Sequence, residues 1–540
     1  MPTHLAIWGL LALAPLRAAP AAGQDTLRAR VVHLLNRGTF GPRPGDVDRV
    51  LALGIERYLD QQLHPERLRD TAADRYVDRF EVFDRSPAEL ARLQQEAARS
   101  VAARQSDSGM AAPRPDPDDR PLRRYVGELQ QAAVARAVLS ERQLYEVLVD
   151  FWTNHFNVSL AKGLTRAFLP EYVERTIRPR ALGRFEDLLV ATAQSPAMLF
   201  YLDNAQSVAE GATPPAMRGG RAAGRQGGRF PQRNPAADSL RRLAEARMPR
   251  GINENYAREL LELHTLGVDG GYTQDDVENV ARIFTGWSIN RGRGDFGFTF
   301  NDWAHDADPK TVLGVTYAPE GKKEGLALLA ALAHHPSTMR HVSAKLCARF
   351  VADAPPDGCV DAGVHAWERT DGDIREIVRA ILQSPDFWAQ RYRGTKTKTP
   401  LEFVASAVRA VGGAPDTTLA LAQLVSRLGQ PLYLQSAPTG YPEREEAWVS
   451  SSALLQRFNA AIALAAGRAP GVAHDGAALL PVTGHPDSLT AAANRLVLHG
   501  AAGPATLATI AREVAAVPDA TTARALALGL VLGSPEFQRQ

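Results

Sequence analysis

Apolar residues recur at helical spacing along most of the chain. Within 141–156, apolar and aromatic side chains return every three or four positions, which places them on one side of a helix. Similar patterns predict two helices within 26–64 and further helices over 87–103, 122–139, 323–334, 337–352, 372–383, 400–411, 448–466, 486–497, 503–516 and 519–532. The sequence therefore predicts a mainly α, multi-helical protein.

One segment shows the alternation that is typical of β structure. Phenylalanines occupy every second position over 296–300, which predicts a short strand or a β-hairpin near 295–316. Shortly before this segment, Thr273 is placed to cap a helix whose first turn carries two acidic residues. We expect that helix to continue through Trp287.

The segment 205–250 interrupts the helical pattern. It is rich in Gly, Arg and Pro and has almost no apolar periodicity, so it cannot bury enough surface to offset the entropy of ordering it. We interpret it as a disordered surface insertion, with contact to an acidic partner as a less favoured role. Because 540 residues are too many for one ordinary core, we expect two packed helical subdomains, an N-terminal region over 25–204 and a C-terminal region over 251–540.

Residues 1–24 have the layout of a secretory signal peptide. An apolar run extends from Leu5 to Leu16, and small residues follow where a signal peptidase would cleave. No Lys or Arg precedes the run. A short membrane anchor is the alternative, but the run is too short to cross a bilayer about 30 Å thick. We expect cleavage and export to the periplasm or the extracellular space, with no transmembrane segment in the mature chain.

Composition adds few constraints. The formal net charge of +2 gives no argument for nucleic acid as a partner. The two cysteines, Cys347 and Cys359, are able to pair in an exported protein. Closing a loop of this size would add about 3 kcal/mol in the chain-entropy model. Two separate thiols are the alternative.

Helix geometry separates the first candidate functional residues. His155 lies on an aromatic helix face, where a lone histidine is usually a core residue rather than a metal ligand. Glu259 and Glu262 are neighbours at positions i and i+3, whereas His264 lies on the opposite side of the same predicted helix. The two carboxylates would suit a hard cation or acid–base catalysis. A solvated face with an ion pair is the structural alternative, which the sequence alone favours.

Two further groups contain histidines. His305, Asp306 and Lys310 occur in an irregular segment, where functional groups concentrate, and we regard them as the best single candidate for part of a site. His334 and His335 precede a proline and are interpreted as the approach to a helix. The sequence contains no H-E-x-x-H, C-x-x-C, G-x-S-x-G or Walker pattern, so the common metalloprotease, redox, hydrolase and nucleotide templates lack support.

Taken together, these segments resemble an uncharacterised bacterial family called domain of unknown function 1800. The resemblance covers nearly the whole mature chain from about residue 30, and only the insertion at 205–250 lies outside the pattern. It is carried by HLLNRGTFG at 33–41, FWTNHF at 151–156, ENYARELLELHTLG at 254–267, YTQDDV at 272–277, FTGW at 284–287, His305 and Asp306 with Lys310, Phe387 with Trp388, and PTGYP at 438–442. The resemblance implies an exported helical protein that is often encoded beside a second exported protein. It implies no established catalytic residues.

Three functions compete at this point. The first is an exported enzyme with a metal-assisted site between helices. Its catalytic candidates are Glu259, Glu262, His305, Asp306 and Lys310, and its candidate ligands for a divalent metal ion are His155, Glu259, His264 and His305. The second is a non-catalytic partner or scaffold for another exported protein. The third is carbohydrate or cell-wall binding, suggested by Trp287, Trp303, Trp388 and Trp448, although core packing is the commoner role of tryptophan.

Overall fold

The computed structural model describes residues 26–107, 120–212, 251–290, 295–481 and 485–540. The predicted signal peptide over 1–24 lies outside the described residues, as does the part of the predicted insertion from 213 to 250. The first residues of that predicted insertion are anchored: the Ala209 N–H donates to the Ala304 carbonyl at 2.8 Å, and Val208 is buried.

Helices dominate the described chain, as predicted. Before residue 213 they are α1 (Leu27–Gly38), α2 (Asp46–Leu53), α3 (Ile55–Leu63), α4 (Thr71–Val77), α5 (Pro87–Asp107), α6 (Arg120–Leu139), α7 (Gln143–His155), α8 (Thr165–Glu171), α9 (Phe185–Ala193) and α10 (Pro196–Tyr201). Up to residue 350 they continue as α11 (Glu254–Glu259), α12 (Gln274–Ile283), α13 (Lys322–Ala333) and α14 (Pro336–Phe350).

The remaining helices follow α14, and the longest connections lie between α19 and α20 and between α20 and α21. They are α15 (Asp357–Thr370), α16 (Ile374–Gln383), α17 (Pro385–Trp388), α18 (Pro400–Ala410), α19 (Ala420–Arg427), α20 (Ser451–Ala465), α21 (Pro486–Val497), α22 (Pro504–Ala515), α23 (Ala520–Leu532) and α24 (Pro535–Gln538). Among the described helices, none combines the length and the apolar composition that crossing a membrane requires.

The β structure consists of three short antiparallel pairs within the described residues. They are β1 (Trp287–Ile289) with β2 (Phe298–Phe300), β3 (Lys310–Val312) with β4 (Val315–Tyr317), and β5 (Ala414–Pro415) with β6 (Val472–Ala473). The strands predicted near 295–316 are therefore present, but they belong to two ladders rather than one hairpin. The third pair was not predicted, because two-residue strands carry no readable alternation.

Apolar periodicity located the core correctly on α7. Trp152 is fully buried, and its indole N–H donates to the Ala181 carbonyl at 3.0 Å. The buried apolar residues form one connected cluster that extends from Val31 to Phe537. The division into two subdomains stays a prediction.

Two helix boundaries differ from the expectations for physical reasons. The second of the two helices predicted within 26–64 is itself divided in two, because Gly54 adopts φ +91° between α2 and α3. The helix capped by Thr273 has the expected capping box but ends at Ile283 rather than Trp287. Gly286 there has φ +80°, and a Cβ on it would approach the Asn301 carbonyl oxygen to 2.7 Å.

Ser-Pro pairs occur at three helix boundaries. Ser195, Ser384 and Ser534 each follow a helix end, and each side chain caps a new short helix whose first residue is the proline. Each pair ends one helix and also starts the next.

Two stretches of chain wind as π-helix, Tyr172–Ile177 after α8 and Leu260–His264 after α11. The second lies inside the segment that was predicted to be regular α-helix. A π-helical turn is rare and marks a functional position more often than an α-helical turn does.

Cys347 and Cys359 form a disulfide with their Cα atoms 6.1 Å apart, joining α14 to α15. The predicted pairing is therefore present, and both cysteines are fully buried.

Replacing both cysteines with alanine is expected to lower the free energy of unfolding by about 3 kcal/mol, since the open chain regains the entropy of a short loop. Urea unfolding of the variant, followed by tryptophan fluorescence, measures the loss. Reduced wild type is the matched control and should lose a similar amount. An unchanged urea midpoint in both samples would contradict the expectation.

Candidate functional site

A polar stripe runs along one face of α7. Glu146, Asp150 and Asn154 follow one another at intervals of four residues, so they lie on the same side of the helix. The opposite side carries apolar residues of the core, including the fully buried Leu148 and Trp152. A helix that packs against the protein on both sides does not require three polar residues on one face for its stability.

A second polar stripe runs along α14. His341, Lys345 and Arg349 are also spaced by four residues, which places them on one face. Arg349 is almost fully buried, with 2% of its surface exposed. The disulfide through Cys347 fixes this same helix to α15.

The first stripe and Arg349 of the second stripe line a cavity of about 70 Å³. Its lining includes Asp150 and Asn154 of α7, Arg349 of α14, and Tyr441 and Glu443 of the segment 430–443. This volume holds a few water molecules or the reactive end of a small substrate. The lining also includes Pro442, which is exposed.

Most charged groups around this cavity are paired. Arg178 binds Glu146 through two hydrogen bonds of 2.7 and 2.8 Å. Arg136 binds Glu174, with one of its hydrogen bonds at 3.0 Å.

Two carboxyl groups at the cavity are exceptions. Among the described residues, no side chain or backbone N–H donates a hydrogen bond to the carboxylates of Asp150 or Glu443. Both residues are partly buried, and carboxylates without a protein donor at a cavity wall are groups that a ligand would satisfy.

Burial raises the pKa of Asp150 to about 7, although the Arg349 guanidinium opposes the rise. The neighbouring carboxylates of Glu443 and Glu402 add to it. A carboxyl group with this pKa exchanges its proton near neutral pH, which is the range where general acid–base catalysis works best.

Arg349 supplies the positive charge of the cavity. Burial disfavours its charged form, but the carboxylates of Glu402, Glu443 and Asp150 outweigh burial and raise its pKa. One guanidinium nitrogen binds Glu402, whereas the buried Nη2 atom has no hydrogen-bond partner among the described residues. Arg349 therefore keeps a free donor.

The end of α7 holds the segment 435–441 by its backbone. The Asn154 amide donates to the Tyr441 carbonyl at 2.8 Å and accepts from the Tyr441 N–H at 2.6 Å. The Asn157 amide donates to the carbonyls of Gln435 and Ala437 at 3.0 and 2.8 Å. Gly440 has φ +72°, and a Cβ on it would collide with Asn154. These contacts fix the approach to Glu443.

The predicted residues His155 and His264 lie together, with ring centroids 6.1 Å apart. The His155 Nε2 atom lies 3.2 Å from the His264 carbonyl, while its Nδ1 and the Nε2 of His264 have no partner among the described residues. Burial lowers the pKa of His264 to about 3, and Lys345 and His341 lower it further. Burial likewise lowers the pKa of His155 well below its usual range.

We expect this pair to make the fold acid-sensitive. A histidine with a folded pKa near 3 and an unfolded pKa near 6.5 binds more protons when unfolded. Its stabilising effect is complete above pH 6.5 and is lost as pH falls toward the folded pKa. The variant His264→Gln should therefore show a flatter decline of unfolding free energy between pH 6.5 and 4, by up to about 1 kcal/mol per pH unit.

Urea unfolding at several pH values tests this expectation. The exposed His485 supplies the control variant His485→Gln, which should keep the slope of the wild type. Equal slopes in wild type and His264→Gln would contradict it.

Glu259 and Glu262 are neighbours, as predicted. Burial raises the pKa of Glu259, and the charge of Glu262 adds to the effect. The Tyr272 hydroxyl lies 3.4 Å from Glu262. Burial raises the pKa of Tyr201, and the charge of Glu259 adds to this rise. Both glutamates are only partly buried.

His305, Asp306 and Lys310 also lie together, but each of them already has hydrogen-bond or ion-pair partners. His305 Nε2 contacts Glu324, and its Nδ1 lies 2.9 Å from the Thr285 carbonyl. Lys310 Nζ lies 3.0 Å from a Glu324 carboxylate oxygen. The side chains of Lys310 and Glu324 are 0% and 1% exposed.

Asp306 extends this network to Arg282. The two hydrogen bonds between the Asp306 carboxylate and the Arg282 guanidinium are 2.8 and 3.1 Å. Burial alone would raise the pKa of Asp306, but Arg282 outweighs it and the pKa is lowered. The network thus resembles a buried structural ion cluster, and Glu324 is its unpredicted centre.

The predicted site residues therefore form three separate groups. Within the described part of the chain, no hydrogen bond, ion pair or ring contact joins the His305 group to the His155 group or to Glu259. No three His, Cys, Asp or Glu side chains among those residues are grouped so that they could hold a metal ion. The prediction of a divalent metal gains no support from the geometry.

Asp150, Glu443 and Arg349 were not assigned to a site from the sequence. One signal was present, since α7 and α14 each carry polar residues at i, i+4 and i+8 on one face. What the sequence does not reveal is that Asp150 and Arg349, about 200 residues apart, line the same cavity.

Fold and site together define a mainly helical protein with a cavity that is lined by ionisable side chains. The family model described as "Protein of unknown function (DUF1800)" matches residues 33–539, nearly the whole chain. The chain belongs to this family, which confirms the resemblance seen in the sequence. No curated protein and no solved structure matches it.

Proposed function

We propose that this protein is an exported enzyme that carries out proton-transfer chemistry in the cavity between α7, α14 and the segment 430–443. One observation carries the proposal. Asp150 and Glu443 face the cavity without a hydrogen-bond donor, while neighbouring charged groups such as Glu146 and Arg178 are paired. Unpaired titratable groups in a cavity mark functional sites more often than structural ones.

The roles follow from the environment of each group. Asp150, with a pKa of about 7, is the group that takes and returns a proton. Arg349 offers its free Nη2 donor to negative charge that develops on the substrate. Glu443 supplies a second carboxyl that lines the same cavity, and the approach to it is fixed through the backbone of 435–441.

The test is a turnover screen with purified mature protein on small esters, amides, glycosides, phosphoesters and carbonyl compounds. We expect any activity to fall at least about 100-fold in Asp150→Asn and in Glu443→Gln. Asp308→Asn, which alters a carboxyl with 84% side-chain exposure, is the control and should retain full activity.

Activity that survives in both variants would place the chemistry elsewhere. No turnover on any substrate class would favour the alternative of a non-catalytic partner or scaffold for another exported protein. The carbohydrate-binding alternative stays a prediction: of its four tryptophans, Trp287 and Trp448 are buried, whereas Trp303 and Trp388 are partly exposed.

Export is part of the proposal. It is supported by the apolar run from Leu5 to Leu16 and by the disulfide between Cys347 and Cys359, a bond that persists in oxidising compartments. Fractionation of cells that produce the full chain, with sequencing of the mature N-terminus, tests it. Full-length protein retained in the cytosol would contradict export.

A further inference from the structure

Groups of both charges line the cavity between α7, α14 and the segment 430–443. The carboxyl groups of Asp150 and Glu443 receive no hydrogen bond from any described residue. Arg349 is almost fully buried, and its Nη2 atom has no hydrogen-bond partner in the described part of the chain. A carboxylate requires a donor, and a guanidinium requires an acceptor. One ligand that satisfies all three residues therefore carries both a donor and an acceptor.

The other arginines of the lining already have carboxylate partners. Arg136 and Arg178 each bind a glutamate through the guanidinium group. Arg349 also has a carboxylate partner, Glu402, but this carboxylate contacts only the Nη1 atom. The Nη2 atom of Arg349 is thus left for an acceptor that no described residue supplies.

Aromatic rings form another part of the lining, from Phe40, Tyr433 and Tyr441. Tyr433 has φ +61°, a strained conformation for an aromatic residue that proteins keep mainly at functional sites. The Tyr441 hydroxyl donates to the Pro431 carbonyl at 2.7 Å. The Tyr433 hydroxyl has no hydrogen-bond partner among the described residues, so it is a further polar group that a ligand would satisfy.

The size of the cavity limits the ligand. Its volume of about 70 Å³ has room for only a few small groups. The positive and the negative group of the ligand must therefore lie close together. In an α-amino acid, the ammonium and the carboxylate are attached to the same carbon atom, and glycine and alanine contain little else.

We propose that the cavity binds a small α-amino acid as its zwitterion, with the ammonium group against Asp150 and Glu443 and the carboxylate against Arg349. The inference rests on the function proposed above, because it names small α-amino acids as the substrate class of that site. The carbon atoms of the ligand pack against the aromatic part of the lining, whose ring faces also attract an ammonium group.

Calorimetric titration of the mature protein tests this inference. Glycine and L-alanine are the probes, at pH 8, where the Asp150 carboxyl is mostly ionised because its pKa is about 7. The matched half-ligands are ethylamine, which lacks the carboxylate, and propionate, which lacks the ammonium group. Since each half-ligand leaves one charged side of the cavity unpaired, we expect L-alanine to bind at least about tenfold more tightly than either.

The variants should remove the two sides of this recognition separately. In Asp150→Asn and in Glu443→Gln, L-alanine should lose most of its advantage over propionate. In Arg349→Lys, which keeps a positive charge beside Glu402 but lacks the second guanidinium nitrogen, it should lose most of its advantage over ethylamine. Circular dichroism checks that each variant is folded.

Glu446→Gln is the matched control for Glu443→Gln. Glu446 is exposed and lies three residues further along the chain, so its variant should bind every probe as the wild type does. An equal loss of L-alanine binding in this control would contradict recognition by Glu443.

Wild type that binds neither glycine nor L-alanine at millimolar concentrations would overturn the inference. Wild type that binds ethylamine or propionate as tightly as L-alanine would also overturn it. The two proposals fail separately. Turnover of another substrate class that depends on Asp150, without binding of either amino acid, discards the amino acid and keeps the proton-transfer function. Specific binding of L-alanine without turnover of any substrate class keeps the binding site and discards the enzyme.

Discussion

Replacing Asp150 with asparagine is expected to stabilise the folded protein at pH 8. The folded pKa of Asp150 is about 7, whereas an unfolded aspartate titrates near 3.9. The unfolded chain therefore releases this proton first as pH rises. Below about pH 4, Asp150 does not change the free energy of unfolding. Between about pH 4 and 7, it lowers that free energy as the pH rises.

Asparagine has no proton to lose. The difference in unfolding free energy between variant and wild type should therefore increase by about 1.4 kcal/mol per pH unit between pH 4 and 7. Its upper limit is about 4 kcal/mol. Urea unfolding of both proteins at pH 4, 6 and 8 measures the gap. The exposed Asp308 again supplies the control, and Asp308→Asn should follow the wild type at every pH.

A destabilised Asp150→Asn protein at pH 8 would mean that the carboxylate has a stabilising partner, and the proposed role of Asp150 would lose its physical basis. A stabilised variant would show that the native chain tolerates a carboxyl that weakens its fold. Proteins accept such a loss mainly at positions where activity requires it.

The second large effect is expected at Glu324. Replacing it with alanine leaves the buried Lys310 amine without its closest carboxylate and His305 without the partner of its Nε2 atom. Removing one member of a buried ion pair usually costs about 3–5 kcal/mol, because the remaining charge is uncompensated. Glu324→Ala should therefore lower the free energy of unfolding by that amount.

Urea unfolding at pH 7 measures this loss, and Glu320→Ala, an exposed neighbour, is the control that should change little. Glu324→Gln separates charge from hydrogen bonding, since it keeps the shape and should lose less than alanine. A loss below about 1 kcal/mol in Glu324→Ala would mean that solvent or Asp306 compensates Lys310, and the cluster would not be the structural anchor of β3.

The sequence predicted the helical elements better than their partners. Helical spacing identified α7, α14 and α20 because their apolar faces repeat with the period of the helix. It missed short helices such as α8 and α10, which contain too few residues for a pattern. The turn between α2 and α3 depends on a positive φ at Gly54, which periodicity does not report.

Site prediction failed where pairing between distant helices decides the chemistry. Glu324 lies in the first turn of α13, where an acid ordinarily complements the helix dipole in solvent, and only the fold brings Lys310 to it. Asp150 was not predicted as a site residue, because the nearby His155 was the more evident candidate. Its environment depends on Arg349 and Glu443, which lie almost 200 and 300 positions away.

The hydrogen bonds that hold 435–441 by its main chain limit how sequences of this family diverge. Asn154, Asn157 and the Tyr201 hydroxyl contact only backbone atoms of this segment. Outside the PTGYP motif, side chains such as that of the exposed Ser436 are therefore free to change without weakening these contacts. The number of residues is not free, because inserting or deleting one would move Glu443 away from the cavity. Relatives should thus vary at position 436 while conserving the length of this segment and its Gly440.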